Sequence, residues 1–182
     1  MGLTVITGTM FAGKSTKLLE LGRAFKDEHK SIVYAKPSVD TRYSTDEIVT
    51  HNNERVKSVV INNQLKGYYP IDEAQVILID EVQFINQVLI DDIIKLVNEG
   101  KEVICAGLDL DWKGNPFDVT QILLANADNV VKLKTMCKCS EPARYSALKQ
   151  NTYDGQFLLG SDDLYEPLCR TCWNNHQNVN KF

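Results

Sequence analysis

The stretch Val5-Ile6-Thr7-Gly8-Thr9-Met10-Phe11-Ala12-Gly13-Lys14-Ser15-Thr16 decides the fold of this chain. Residues 8–15 match the pattern G-x-x-x-x-G-K-[ST] at each of its fixed positions. Apolar residues precede the match as in a short buried strand, and Leu18, Leu21 and Phe25 follow it at helical spacing. A glycine-rich loop between a strand and a helix directs backbone N–H groups and the positive helix end toward phosphates. The stretch therefore predicts that residues 8–16 bind a nucleoside triphosphate, with Lys14 on the β and γ phosphates and the Ser15 hydroxyl on Mg²⁺.

The stretch Val76-Ile77-Leu78-Ile79-Asp80-Glu81 carries the second strong pattern. Four consecutive apolar residues predict a strand that is buried on both faces, as in a parallel sheet. Two carboxylates follow at its carboxyl end, which is where open α/β sheets bind their ligands. In phosphate-loop proteins an acidic residue at this place holds the magnesium ion. We therefore expect Asp80 to bind Mg²⁺ with Ser15, in preference to an acidic strand end that merely faces water.

Strand and helix patterns alternate along most of the chain. Apolar runs predict further strands at residues 31–35, 57–61, 103–107 and 129–133, and amphipathic patterns predict helices at 86–98 and 118–127. The polar residues 37–55 are expected to form a mobile loop, and residues 67–72 a linker. This alternation predicts an α/β fold, a mainly parallel sheet with helices on both faces.

Four of the five cysteines form two close pairs near the end of the chain: Cys137, Cys139, Cys169 and Cys172. Without an export signal, such pairs favour a structural zinc site over disulfides. The alternatives are reduced structural cysteines, a redox pair, or His176 as the fourth ligand. The zinc site would close residues 140–168, which have little apolar periodicity, into a loop, and residues 177–182 are expected to be a frayed polar tail. Cys105 is expected in the core of a strand.

Bulk properties limit the class of protein. The chain has 182 residues and a net charge of −4, so we expect one domain, or one domain with a small appendage, and no strongly basic nucleic-acid surface. We divide it into a nucleotide-binding domain, residues 1–134, and a small zinc-binding domain, residues 135–182. No apolar run is long enough to span a membrane, and reduced cysteines indicate a cytoplasmic location.

The landmarks occur in a fixed order: the phosphate loop, Asp40-Thr41-Arg42-Tyr43, Asp80-Glu81-Val82-Gln83-Phe84, Gly107-Leu108-Asp109, Pro116-Phe117, and Tyr165 ahead of the second cysteine pair. Over nearly its whole length the chain resembles thymidine kinases of the cellular, zinc-containing type (type II). The resemblance implies a phosphate-loop (RecA-like) α/β domain and a small zinc-binding lobe with a lasso-like, substrate-clamping loop. It implies transfer of the ATP γ-phosphoryl group to the 5′-hydroxyl of deoxythymidine, and of deoxyuridine, as salvage for DNA synthesis. It also implies a homotetramer and raises dTTP as a candidate feedback inhibitor.

Site residues follow from the same resemblance. Glu81 matches the general base, Gln83 lies close to the bound nucleotide, and Asp40 and Arg42 lie near the phosphates and sugar. The residues implied to surround the thymine are Met10, Phe84, Leu108, Trp112, Phe117, Ser146, Leu158 and Tyr165. Backbone groups of residues 156–163 are implied to hydrogen-bond the base edge and close over it. Trp112 stands where Phe is common in the family, and Ser146 stands where Thr is common.

A second class of function also fits parts of the sequence. A phosphate loop, a strand that ends in Asp-Glu and a zinc ribbon are also found in small ATPases that act on nucleic acid. The chain is too short for two motor lobes, is net acidic, and has no visible stripe of basic and aromatic residues. The kinase hypothesis is therefore preferred.

Overall fold

The computed structural model describes residues 1–41, 43–149, 155 and 164–179, with the side chains of the last helix described through Gln177. Six strands form one parallel sheet in the order β5-β2-β6-β7-β1-β8. Their bounds are β1 Gly2–Thr7, β2 Ile32–Pro37, β5 Val59–Ile61, β6 Val76–Ile79, β7 Glu102–Gly107 and β8 Asn129–Lys132. The predicted fold class, an α/β protein with a mainly parallel sheet, is confirmed.

Helices cover both faces of the sheet. They are α1 Lys14–Asp27, α2 Tyr69–Glu73, α3 Val88–Asn98 and α4 Asp118–Asn126, and α5 Arg170–Val179 follows outside the sheet domain. In β6, Ile77 and Ile79 pack with α3 and α4, while Val76 and Leu78 pack with α1 on the other face. Because successive side chains of a strand point to opposite faces, the apolar run at residues 76–79 fills both core layers. Within the described residues, no helix combines the length and the apolar character needed to cross a membrane.

The polar residues 37–55 do not form a single loop, and the expectation from sequence is wrong here. Strand β2 continues through Pro37, and β3 Glu47–Val49 pairs antiparallel with β4 Arg55–Lys57. Ile48 is buried in the core layer that also contains α1, with Val56 packed against it. This burial holds the hairpin, although its turn is polar. The single strand expected at residues 57–61 is divided between β4 and β5, which belong to different sheets.

The C-terminal segment has more regular structure than its composition indicates. Strand β9 Tyr145–Leu148 pairs antiparallel with β10 Tyr165–Leu168, and α5 begins directly after Cys169. Trp173 of α5 stacks on Tyr145 of β9, with ring centroids 4.2 Å apart. The frayed tail expected from residue 177 is therefore wrong for residues 177–179, which belong to α5. Cys105 lies fully buried in β7 as expected, and burial raises the pKa of its thiol to about 12.

Candidate active site

The carboxyl ends of the parallel strands meet along one edge of the sheet, and a cleft of about 230 Å³ opens there. Its walls come from the phosphate loop, the end of β6, the start of the loop after β7, and the β3–β4 hairpin. The lining residues include Met10, Lys14, Ser15, Lys36, Asp40, Thr50, His51, Asp80, Glu81 and Leu108. Parallel strands direct their carboxyl ends to the same edge, which is why residues distant in sequence meet at this cleft.

Backbone geometry at the phosphate loop explains its two glycines. Gly8 and Gly13 have φ angles of 151° and 82°, and a Cβ on Gly8 would lie 2.5 Å from the carbonyl oxygen of Leu133. Phe11 also has a positive φ, 65°, which is rare for a residue with a side chain. The Lys14 ammonium donates to the carbonyl of Thr9 at 2.9 Å, and the buried Thr9 hydroxyl has no hydrogen-bond partner among the described residues.

Asp80 lies at the bottom of the cleft, next to the loop. Burial raises the pKa of its carboxyl to about 7, and the neighbouring charge of Glu81 adds to this rise. Hydrogen bonds from the Ser15 hydroxyl and the Glu81 N–H, and the positive charge of Lys14, act in the opposite direction. A carboxylate and a hydroxyl in direct contact, beside a phosphate loop, form a donor set that fits Mg²⁺.

Glu81 adopts an unusual backbone conformation directly after Asp80. Its φ and ψ are 53° and 41°, in the left-handed region, which costs energy for a residue with a side chain. The side-chain amide of Gln83 donates to the Glu81 carboxylate, and its carbonyl accepts from the N–H of Leu108 at 3.0 Å. Gln83 is buried and so connects the carboxylate to the first residue after β7.

Asp40 lies at the edge of the cleft and is held by a buried lysine. The Lys36 ammonium is 3.3 Å from the Asp40 carboxylate and donates to the carbonyls of Ser44 and Glu47 at 2.9 and 3.2 Å. All three donors of the ammonium are thus used to shape the chain between β2 and β3. Arg42 lies outside the described residues.

An apolar cluster adjoins the cleft and brings together five of the eight residues expected around the thymine. Its buried members are Met10, Leu108, Trp112, Phe117, Leu148 and Tyr165. Ser146 is buried nearby, and its hydroxyl accepts a hydrogen bond from the Met10 N–H at 2.9 Å. Phe84 is half-buried in the turn after Glu81 and is not part of this cluster. Residues 156–163, which include Leu158, lie outside the described residues.

The four cysteines form a compact group between the two C-terminal strands and α5. Every pair of sulfur atoms lies within 4.8 Å, and the Sγ atoms of Cys139 and Cys169 are 3.6 Å apart. Burial acts to raise the pKa of Cys137, but hydrogen bonds from the N–H groups of Cys139 and Cys169 lower it to about 6. Thiolate sulfurs at these separations fit tetrahedral Zn²⁺, which bonds to sulfur at about 2.3 Å. His176 lies outside this group, and its Nε2 is 2.9 Å from the carbonyl of Leu148.

Sequence reasoning assigned no role to several residues that the structure places at or beside the site. Asp109 is buried and accepts from Arg144 and Lys132 at 2.9 and 2.8 Å, and these two cations hold its pKa below the usual range although burial opposes the shift. Leu148 joins the apolar cluster, and Thr50 and His51 line the cleft. The apolar pair Ile48-Val49 ahead of Asn52-Asn53 was a usable hairpin signal. Nothing in the sequence indicates the pairing of Asp109 with Arg144, since 35 residues separate them.

The fold and this cleft define a phosphate-loop nucleotide-binding protein with an appended four-cysteine unit. A family model described as thymidine kinase matches residues 1–173. The chain belongs to the thymidine kinase family, a family of kinases, and the resemblance found in the sequence is confirmed.

Individual relatives agree with this assignment. The chain is 40% identical to a thymidine kinase of Bacteroides thetaiotaomicron over 94% of its own length and 86% of that protein. It is also 40% identical to a thymidine kinase of Thermococcus kodakarensis, over 92% of this chain and 91% of that protein. Among solved structures, the flagellar accessory protein FlaH from Methanocaldococcus jannaschii superimposes with a TM-score of 0.50 at 16% identity, covering 79% of this chain and 78% of that one. That likeness concerns the fold alone.

Proposed function

We propose that this protein transfers the γ-phosphoryl group of ATP to the 5′-hydroxyl of deoxythymidine, giving dTMP and ADP. One observation carries the proposal beyond family membership: Met10 and Leu108 line the cleft of the phosphate loop and also belong to the apolar cluster. A charged donor site and a flat apolar site therefore share a wall. That arrangement suits a reaction between a nucleoside triphosphate and a planar base carrying a sugar hydroxyl.

On the donor side, the loop of residues 8–16 and Lys14 bind the phosphates. Ser15 and Asp80 would hold Mg²⁺, and the ion would supply charge neutralisation for the phosphates. Burial raises the pKa of the Asp80 carboxyl to about 7, and a divalent cation held beside it would favour the carboxylate form. Asp40 and Arg42 act at the phosphates and sugar, where Arg42 stabilises charge on the transferred group.

On the acceptor side, Glu81 accepts the proton of the 5′-hydroxyl as that oxygen attacks the γ-phosphorus. The hydrogen bond from Gln83 fixes the orientation of the Glu81 carboxylate, and the strained backbone at Glu81 directs it into the cleft. Gln83 is proposed to lie close to the nucleotide, while its amide group forms hydrogen bonds with Glu81 and Leu108.

The apolar cluster is the wall for the thymine ring, with Trp112, Phe117 and Tyr165 as its buried aromatic members and Phe84 and Leu158 as further contacts. Residues 156–163 close over the base and exclude water. Discrimination between thymidine and deoxyuridine depends on a single methyl group, worth about 1–3 kcal/mol. Deoxyuridine is therefore proposed as a second, weaker substrate.

Residues 1–134 and 135–182 are proposed to act as a nucleotide-binding domain and a zinc-binding domain. The four cysteines would hold Zn²⁺ with a full set of protein ligands, and the ion would supply a structural cross-link and no catalysis. A homotetramer in the cytoplasm, inhibited by dTTP, completes the proposal.

The deciding experiment is a panel assay of ADP release with ATP and Mg²⁺. Thymidine should stimulate release strongly, deoxyuridine less, and purine nucleosides not at all. Stimulation by single-stranded DNA but not by thymidine would refute the proposal and would support the nucleic-acid-dependent ATPase instead.

A further inference from the structure

We propose that Ser146 is a positioning residue that links strand β9 to the phosphate loop, so that the donor and acceptor sites respond to each other. The inference rests on the proposed function, since it assigns the two substrates to the cleft and the apolar cluster. It gives Ser146 a role distinct from a contact with the thymine.

The hydrogen bond between Met10 and Ser146 is the central observation. The Met10 N–H donates to Ser146 Oγ at 2.9 Å, across a separation of 136 residues, and both residues are buried. In a phosphate loop the backbone N–H groups point to the phosphates. Here one N–H at the middle of the loop points instead to a hydroxyl of the C-terminal segment, so the loop conformation depends on where β9 lies.

Strand β9 is itself anchored to the sheet. Two residues before Ser146, the Arg144 guanidinium donates to the Asp109 carboxylate at 2.9 Å, and Lys132 of β8 lies 2.8 Å from the same carboxylate. Asp109 is nearly buried, with 8% of its side chain exposed. These contacts fix one end of β9 against the ends of β7 and β8.

The other end of β9 reaches the apolar cluster. Leu148, two residues after Ser146, belongs to the cluster with Met10 and Tyr165, and it pairs with Tyr165 of β10. A nucleoside bound against the apolar cluster displaces Leu148 and Tyr165. Because Ser146 lies two residues before Leu148 in β9, its hydroxyl, which accepts from the Met10 N–H, is displaced as well. Occupancy of the nucleoside site is thereby transmitted to the phosphate loop.

The test compares S146A with S146T by calorimetry of a non-hydrolysable ATP analogue with Mg²⁺, with and without thymidine. S146A leaves the buried Met10 N–H without an acceptor, so analogue binding in the absence of thymidine should weaken about three- to tenfold. The effect of thymidine on that affinity should disappear as well. S146T keeps the hydroxyl, so it should bind the analogue more tightly than S146A does and should restore the thymidine effect. If S146A binds the analogue as wild type does, the proposal is overturned, and a thymine contact alone remains.

A second measurement observes the hydrogen bond directly and does not require activity. The chain has three methionines, so labelling with ¹⁵N-methionine gives a simple set of backbone amide signals that includes Met10 and Met136. Hydrogen exchange of the Met10 amide should accelerate in S146A and stay slow in S146T, with the exposed Met136 as the internal reference. Slow exchange at Met10 in folded S146A would also overturn the proposal.

Failure of this inference and failure of the proposed function give different results. If wild-type protein shows no thymidine-dependent ADP release, the proposed function fails, whatever Met10 exchange shows. If wild type phosphorylates thymidine and S146A matches it in analogue affinity and Met10 exchange, only the role of Ser146 fails.

Discussion

In the parallel sheet, Val5 and Ile77 are completely buried between helices and need no group from outside the chain. In the C-terminal unit of β9, β10 and α5, the buried cluster is small and includes Cys137 and Cys169, two of the four grouped thiols. The candidate site lies between these regions, with Glu81 supplied by the first and Tyr165 by the second. We expect the first region to depend on its apolar core and the second on a metal ion at its cysteines, so that perturbations separate the two.

The difference between the two regions indicates which part of the proposed reaction depends on the sheet and which part depends on the C-terminal unit. The sheet supplies charge and rigidity at its carboxyl edge, where the phosphate loop and Asp80 are fixed by buried strands. The C-terminal unit supplies one wall of the apolar cluster through Leu148 and Tyr165. Substitutions in the sheet domain should therefore change mainly the rate of the chemical step. Substitutions in the C-terminal unit should change mainly the affinity for the nucleoside.

The largest expected effect comes from breaking the cysteine group with C169S. Zinc binding at four-ligand sites contributes about 10–16 kcal/mol in small domains, which the small cluster around Cys137 cannot replace. The variant should lose its zinc by elemental analysis, nearly all nucleoside phosphorylation, and hydrogen-exchange protection in β9 and β10 but not in β1. C105A is the matched control and should keep its metal. Wild-type zinc content in C169S would contradict the assignment of this site.

Removing the proposed base with E81Q tests the chemistry of the sheet. General-base catalysis contributes about 10²–10⁴-fold, so kcat should fall by that factor. ATP affinity and the KM for thymidine should change little, because Gln occupies the same volume. Single-turnover kinetics measure the chemical step, and a kcat near that of wild type would exclude Glu81 as the base.

Truncating the aromatic wall with Y165A tests the C-terminal contribution. Loss of a buried aromatic contact costs about 2 kcal/mol or more, so the KM for thymidine should rise at least about tenfold. The KM for ATP should stay near the wild-type value. Y165F, which keeps the ring, is the control. Equal losses for both substrates would show that Tyr165 supports the whole fold instead of the nucleoside pocket.

The smallest expected effect concerns the contact between the two regions, broken with D109N. Hydrogen bonds to charged groups contribute about 1.5–3 kcal/mol, so the free energy of unfolding in urea should fall by that amount at pH 7. The pKa of Asp109 is lowered in the folded protein, so its contribution is complete above its unfolded pKa of about 3.9 and is lost as the pH falls through the folded value.

Wild type and D109N should therefore differ at pH 7 and converge at acid pH. D91N, an exposed acid in α3, is the control and should change stability by less than about 0.5 kcal/mol. A constant difference between wild type and D109N at all pH values would contradict the role of the Asp109 charge.

Much of the sheet domain could be predicted from the sequence because its signals are local. The pattern at residues 8–15 and the run at residues 76–79 each specify a conformation within a few residues, and the structure places both where expected. The β3–β4 hairpin was missed because polar residues obscure the short apolar signal Ile48-Val49, and the burial of Ile48 beside α1 is visible only in the tertiary structure. Helix α5 was missed because most of its residues are polar, and its main apolar contact is Trp173 stacked on Tyr145.

The sequence by itself determined the class of fold, the family and the chemical groups that the proposed phosphoryl transfer would use. These follow from residue types at fixed spacing, such as the glycines and Lys14 of the phosphate loop. Only the tertiary structure decided that Gln83 holds Glu81, that Asp109 pairs with Arg144, and that Ser146 accepts from Met10. Such contacts depend on distances and directions between segments far apart in the chain, and no local pattern of residues fixes them.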